Sequence, residues 1–254
     1  MSVRVAVLSD VHSNLAALEA VLATLGSVDG IWVLGDIVGY GPQPQAVVDR
    51  LRDVGAIGVR GNHDDAAGGG ASIEFFNPDG YRAMEWTRAR IDERARLYLA
   101  SLPESIVPAG SEFTLAHGSP SDPIWEYLDS PAAADRNLSA FETRYCLVGH
   151  THVPRVFREA RERTAPPYGR TARVEPVRIG QDGRFKLDDR RSIFNPGSVG
   201  QPRDGDPRAS YMLIDTEAGL VTWHRVEYDV SATQEAIMAA GLPSNLARRL
   251  SFGM

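Results

Sequence analysis

The chain has 254 residues, 43% hydrophobic and 24% charged, with 27 basic and 33 acidic side chains, six histidines and one cysteine. A chain of this length buries about 70–75% of its extended surface, so it has material for a full core, and its composition excludes whole-chain disorder. One cysteine excludes an intramolecular disulfide and a cysteine-cluster metal site, and the net charge of −6 counts against a general nucleic-acid binder.

The first apolar run, Val3–Leu8, gives way to a polar Asp10. It is too short for a signal-peptide core, and no later run approaches the ~20 residues of a membrane span. The expectation is a soluble, cytoplasmic protein with no membrane partner, and Val3–Leu8 reads as a buried strand. Ser13 or Asn14 caps a helix whose apolar residues Leu15, Leu18, Leu22 and Leu25 recur at helical spacing before Gly26. Ile31–Leu34 is a second strand, Gln45–Val54 a second helix and Ile57–Val59 a third strand. This β-α-β-α-β order implies a parallel sheet with right-handed crossovers. Gly68–Gly70 reads as a mobile loop, and Asp79–Leu102 as a helix broken near Asp92, which caps a second segment. Phe113–Ala116 and Tyr145–Val148 are further strands. After His152, short β-like runs at Val153–Phe157, Val174–Ile179, Ser192–Phe194, Tyr211–Ile214 and Val221–Val226 suggest antiparallel strands closing a second sheet. Val230–Ala240 reads as a terminal helix. There is no repeat and no linker, so residues 1–254 read as one two-sheet domain.

Five of the strand-like runs end in a polar cluster: Asp10-Val11-His12, Gly35-Asp36, Gly61-Asn62-His63-Asp64, His117-Gly118 and Gly149-His150-Thr151-His152. Open α/β sheets bind ligands just beyond the carboxyl ends of their strands. Five such ends on one edge of a sheet gather Asp10, Asp36, Asp64, Asn62 and five of the six histidines, leaving only His224 outside. The donors are all nitrogen and oxygen, which suits Mn, Fe, Zn, Ni or Co. So many donors exceed what one ion can take and suit two ions ~3.5–4 Å apart, bridged by a carboxylate and by a hydroxide able to attack phosphorus in line.

The ordered set Asp-x-His, Gly-Asp, Gly-Asn-His-Asp, His-Gly and Gly-His-x-His resembles the calcineurin-like metallophosphoesterase superfamily. Asn195-Pro196-Gly197-Ser198 and Pro202-Arg203 resemble its compact bacterial and archaeal branch, which extends the likeness over most of the chain. The resemblance implies a four-layer αββα sandwich, with two mixed sheets packed face to face between helices. It implies a dinuclear phosphoesterase acting on phosphodiesters or phosphomonoesters of small molecules, with Mn first among the metals. By the same resemblance Asp10, His12 and His152 hold the first metal, Asp36 bridges, and Asn62, His117 and His150 hold the second. His63 matches the histidine that faces the leaving-group oxygen, and Asp64 its orienting partner, which would raise its pKa.

Specificity is expected in the loops Ala66–Asn77, Ser119–Leu128 and Gly197–Arg208, with Tyr40, Trp125, Tyr127 and Arg203 as contacts. Arg203 is either a phosphate clamp or a structural ion pair with Asp204 or Asp206. In phosphoprotein phosphatases an Asp-Arg pair stands where this chain has Gly39 and Tyr40, which argues against that specificity. Arg155–Arg173 carries six arginines against two glutamates and reads as a solvated hairpin or an anion-steering rim. Cys146 reads as a small buried apolar residue. Two alternatives stand beside the enzyme. One is a non-catalytic scaffold like the retromer subunit, which lacks the histidine matched here by His63. The other is a nuclease, disfavoured by the acidic balance and the lack of an aromatic-basic groove.

Overall fold

The computed structural model describes residues 3–164 and 172–254. Its first sixty residues follow the expected order: β1 (Arg4–Leu8), α1 (Leu15–Thr24), β2 (Gly30–Val33), α2 (Pro44–Asp53) and β3 (Ile57–Gly58). β1 runs parallel to β2, and β2 to β3. Asn14 is the cap of α1, its Oδ1 accepting the Ala17 amide at 3.2 Å. α3 (Asn62–Gly68) follows at once, then α4 (Pro78–Arg88) and α5 (Glu93–Ser101). The break at Asp92 is real: its carboxylate accepts the Ala95 amide at 2.7 Å and starts α5. The Gly68–Gly70 run is a helix stop. Gly69 takes a left-handed φ of 96° to end α3, and the Gly70 amide donates to the Asp65 carbonyl at 2.9 Å.

β4 (Ser105–Ile106), β5 (Phe113–Ala116), α6 (Pro131–Asn137), β6 (Tyr145–Leu147), β7 (Arg155–Thr164), β8 (Ala172–Val177), β9 (Arg184–Lys186), β10 (Ser192–Asn195), β11 (Ala209–Asp215), β12 (Leu220–Val226), α7 (Val230–Ala239) and α8 (Ser244–Arg248) complete the order. The strands form two six-stranded sheets, β3-β2-β1-β11-β12-β9 and β4-β5-β6-β10-β7-β8. The late strands therefore do not make the second sheet by themselves. β11 lies antiparallel against the side of β1 left free by β2, satisfying its backbone groups, and draws β12 and β9 into the first sheet. β10 inserts in parallel beside β6. The segment Arg155–Arg173 forms the β7–β8 antiparallel pair, with residues 165–171 outside the described residues. The helix over Val230–Ala239 is not the last, since α8 follows it.

Side-chain alternation fixes the layers. Val5 and Val7 of β1 join Trp32, Phe113, Leu115, Leu147 and Phe194 between the sheets. Ala6 and Leu8, on the other face of β1, pack with Leu18, Val47, Leu51 and Leu99 of the covering helices. Both faces are buried, which is why β1 reads as a continuous apolar run. Cys146, Phe157 and Ile193 on the outer face of the second sheet pack against Ala133, Ala134 and Leu138. The result is the α-β-β-α sandwich expected. A fourth cluster joins Tyr40, Ala83, Ile237, Leu246 and Leu250, so α4, α7 and α8 close over the loop that follows β2. None of the described helices is long and apolar enough to cross a membrane.

Candidate metal centre

The five polar clusters belong to strands of both sheets. β1, β2 and β3 supply Asp10, His12, Asp36 and Asn62; β5 and β6 of the other sheet supply His117, His150 and His152. The expectation of one edge of one sheet is therefore corrected to a shared edge of the sandwich, where two parallel triplets of strands end together.

Two groups of donors form there: Asp10, His12, Asp36 and His152, and Asp36, His117 and His150, the ligand atoms of each lying within 4.8 Å of one another. Asp36 belongs to both. Its Oδ2 lies 3.5 Å from His12 Nε2 and 3.4 Å from His117 Nε2. His152 Nε2 is 3.2 Å from Asp10 Oδ1 and 3.1 Å from His12 Nε2. On the other side, His117 Nε2 is 3.2 Å from Asn62 Oδ1 and 3.0 Å from His150 Nδ1.

The protonation pattern fits a cation. His12 Nδ1 donates to the Val38 carbonyl (3.1 Å), His117 Nδ1 to that of Leu34 (2.8 Å) and His152 Nδ1 to that of Gln201 (2.6 Å). A carbonyl only accepts, so each Nδ1 carries the proton. Burial holds all three imidazoles below their ordinary pKa, and the neutral form that this favours turns its Nε2 lone pair inward. Lone pairs 3.1 Å apart repel unless a positive ion lies between them. Asp10 Oδ1 and His150 Nε2 are, in addition, buried without a hydrogen-bond partner. Carbonyl-held histidines around carboxylates are the usual second shell of a metal site. The residues present fit divalent cations.

The carboxylates are set against each other. Burial raises Asp36 well above its ordinary value, and the Asp10 and Asp64 charges add to this. Burial pushes Asp10 the same way, but the His152 and His117 imidazoles and the Ser9 hydroxyl bring it below the usual range. Burial also drives His150 down to about 2.

Backbone conformation delivers these side chains. Asp10, His12, Asp36, His150 and His152 all have positive φ, between 48° and 61°. A left-handed conformation costs a non-glycine residue about 1–2 kcal/mol, so the sheet ends must hold this strain. The Asn195-Pro196-Gly197-Ser198 turn does much of the holding. Asn195 Nδ2 donates to the Gly149 carbonyl at 2.7 Å, and Ser198 Oγ to the Asp10 carbonyl at 2.8 Å. The sequence marks this turn only as a resemblance; its supporting role follows from the fold. Gly61 packs so closely on Asp36 that a Cβ there would overlap Oδ1.

His63 is buried beside the donors, with Nε2 4.0 Å from Asp36 Oδ2. Its ring packs against Tyr40 (4.4 Å), Phe76 (4.6 Å) and His12 (4.8 Å). The expected orienting contact with Asp64 is not the one made. Asp64 sits at the third position of α3, where its carboxylate accepts the amides of Gly61 and Val38, both at 3.1 Å. It braces the two loops. His63 Nδ1 instead faces Met84 Sδ at 3.2 Å, a partner with no motif to announce it. The His63 pKa is accordingly not raised: burial, then His117 and Arg203, hold it well below the ordinary value.

A cavity of about 130 Å³ opens over the donors, lined among others by Asp36, Asn62, His63, His150, His152 and Arg203. Tyr40, Trp125 and Tyr127 also line it, as do Phe75 and Phe76, which the sequence reading did not single out. Arg203 lies 6.0 Å over the Tyr40 ring. It is not taken by its acidic neighbours, since Asp204 pairs with Arg225 and Asp206 with Arg208. Cys146 is buried on the far face of its strand, its thiol pushed up by burial, and His224 lies elsewhere, stacked on Tyr211.

Comparison with known proteins agrees with this geometry. Residues 3–219 match the family model of the calcineurin-like phosphoesterase superfamily domain. The crystal structure of a metallophosphoesterase from Sphaerobacter thermophilus superposes with a TM-score of 0.87 at 44% identity, covering 100% of both chains. An uncharacterized protein of Methanocaldococcus jannaschii is 38% identical over 98% of this chain and 98% of its own length. Phosphodiesterase YfcE of Escherichia coli K12 is 25% identical over 82% of this chain and 85% of its own. The chain belongs to the calcineurin-like phosphoesterase superfamily.

Proposed function

We propose that this protein hydrolyses phosphate esters of small molecules, phosphodiesters foremost, with two divalent transition-metal ions bound at its shared sheet edge. The observation that carries the reading is the single oxygen, Asp36 Oδ2, lying 3.5 and 3.4 Å from the inward nitrogens of two separate donor groups. Asp10, His12 and His152 would hold one ion, Asn62, His117 and His150 the other, with Asp36 between them. Mn is the first choice and Fe, Zn, Ni and Co suit the same donors. Bound there, the ions supply Lewis acidity toward phosphate oxygens and make water acidic enough to act as a nucleophile near neutral pH.

The chain's own residues do the rest. His63 presents Nε2 to the cavity while Met84 engages Nδ1. A phosphate anion in the cavity raises the pKa of this ring and lets Nε2 hold a proton against the departing oxygen. Arg203 provides a guanidinium over Tyr40, on the loop that carries an arginine in the phosphoprotein phosphatases, and grips the substrate's non-bridging oxygens. The likeness to a protein named a phosphodiesterase supports placing diesters ahead of monoesters here.

The test is hydrolysis of bis(4-nitrophenyl) phosphate and 4-nitrophenyl phosphate by protein loaded in turn with Mn, Fe, Zn, Ni and Co, with metal analysis of each preparation. The expected result is two ions per chain and diester turnover abolished by chelation. Two bound ions with no turnover of either ester would overturn the enzyme reading and support a scaffold.

A further inference from the structure

Resting on the phosphoesterase reading above, we infer that the aromatic wall beside the cavity is a stacking platform for a planar ring on the substrate, so that the preferred esters are nucleotide-like small molecules. The cavity itself has about 130 Å³, room for roughly four waters and hence for a phosphoryl group. Pockets that enclose a whole organic ligand run to ~300–1,000 Å³. The organic part of the ester must therefore leave the cavity and lie across its mouth.

That mouth is aromatic. Phe75 lines it and is 75% exposed, the most exposed large apolar side chain among the described residues. Trp125, from the loop after β5, sets its ring 5.9 Å from Phe75 and 5.7 Å from Phe76, both contacts tilted or edge-on. Edge contacts between the rings leave faces free to accept a stacked partner. Tyr127, 52% exposed, lies stacked at 3.8 Å on His150. Phe76 packs in turn on His63, so the platform borders the side from which the ester oxygen departs. If these rings served only to join two loops, Phe75 would be covered. A phosphate held at the donors and Arg203 would bring an attached base or aryl ring over this wall without a change in the fold.

The experiment is a calorimetric titration of the Mn-loaded protein with adenosine 5′-monophosphate and with ribose 5-phosphate, which carries a hydroxyl where the nucleotide carries adenine. Stacking on aromatic side chains predicts about tenfold or tighter binding of the nucleotide. In Phe75→Ala and Trp125→Ala the affinity ratio falls toward one; Phe75 is exposed enough that its loss leaves the core intact, and thermal melts check both variants. A ratio near one in the unmodified protein, a ratio retained in both variants, or no binding of either compound overturns the platform. Binding of a ten-nucleotide DNA strand more tightly than the nucleotide, with a steep fall in salt, overturns the small-molecule form. The nitrophenyl ester assay reads separately: hydrolysis with equal affinities removes the platform and keeps the function, while absent hydrolysis removes the function whatever the affinities.

Discussion

The floor of the cavity and its rim are built by opposite means. On the floor, Asp10 and His117 are fully buried, carbonyls set the tautomers of His12, His117 and His152, and the backbone is strained at five donor residues. At the rim, Phe75 and Tyr127 are largely exposed, Phe75 ending a single 3-10 turn at Ile73–Phe75 and Tyr127 lying on the loop after β5. The floor is fixed before any ligand arrives, which is what a chemical step needs. The rim is what a loop change can alter without disturbing that chemistry. Substitutions on the floor should therefore remove metal or turnover outright, and those at the rim should redistribute affinity.

The largest effect is expected from Asp36→Asn. The change removes the shared charge between two donor groups, and metal affinity should fall more than about 100-fold, beyond the loss of an outer-shell partner. Metal analysis and ester turnover should fall together. Stability should move the other way in the metal-free protein. Burial, Asp10 and Asp64 raise the Asp36 pKa, so its ionised form costs stability increasingly as pH climbs above the unfolded value near 4. The metal-free variant should melt at a higher temperature than the metal-free parent at pH 7, and the order should reverse on adding Mn. Equal melting of the two metal-free proteins would sink the idea that the floor stores electrostatic strain.

Next in size is His63→Ala, which separates binding from chemistry within the floor. His63 is buried against the donors but its nitrogens are not among either donor group. Two ions should remain by metal analysis, with kcat down about 10²–10⁴-fold, the usual scale for a general acid. Turnover at the parent rate would remove His63 from the mechanism.

The sequence marks the floor residue by residue and the rim only in part: the expected contacts Tyr40, Trp125, Tyr127 and Arg203 all line the cavity, and Phe75 and Phe76 fall within the expected loop Ala66–Asn77 without a signal of their own. Asp10, Asp36, His117 and His150 each follow an apolar run that can only be a buried strand, so their place at a strand end is carried by hydrophobic pattern. That pattern does not say which sheet a strand joins. The assignment of β11 and β12 to the first sheet depends on which edge of β1 is free, a long-range pairing. Short elements escaped for want of pattern: α6 buries little beyond two alanines, and β4 and β9 have two and three residues. Asp64, a carboxylate next to a histidine in sequence, looks like the partner of His63 but braces the Gly61 and Val38 amides. At the start of a helix, the unpaired amides are the stronger claim on it. Phe75 and Phe76 carry no motif, and only the fold brings them to the cavity.

Arg203→Ala tests the rim by charge. The guanidinium donates to Gln201 Oε1 at 3.0 Å and leaves Nε without a partner. It also lowers the pKa values of several floor groups by its charge. Hydrogen bonds to a charged group contribute about 1.5–3 kcal/mol, so kcat/KM should fall about 10–100-fold, mostly through KM, with metal content unchanged. A Lys replacement should recover only part of this, since an ammonium lacks the planar fork. Loss of metal in Arg203→Ala would move this residue from rim to floor.

The smallest effect belongs to His224→Gln, and it tests whether the floor is confined to the strand ends. His224 sits within β12, opposite Tyr211 in the antiparallel register, with its ring stacked on Tyr211 at 4.9 Å and Nε2 2.9 Å from the Thr222 hydroxyl. Its backbone is not left-handed, and it belongs to neither donor group. The substitution forfeits a ring contact and one half-buried hydrogen bond, a loss of about 1 kcal/mol by thermal denaturation. Metal content and turnover should match the parent. His12→Gln, by contrast, should lose metal at little cost to the core. If the two variants lost metal alike, a histidine's place in the middle of a strand or just beyond its end would not be what makes it a ligand.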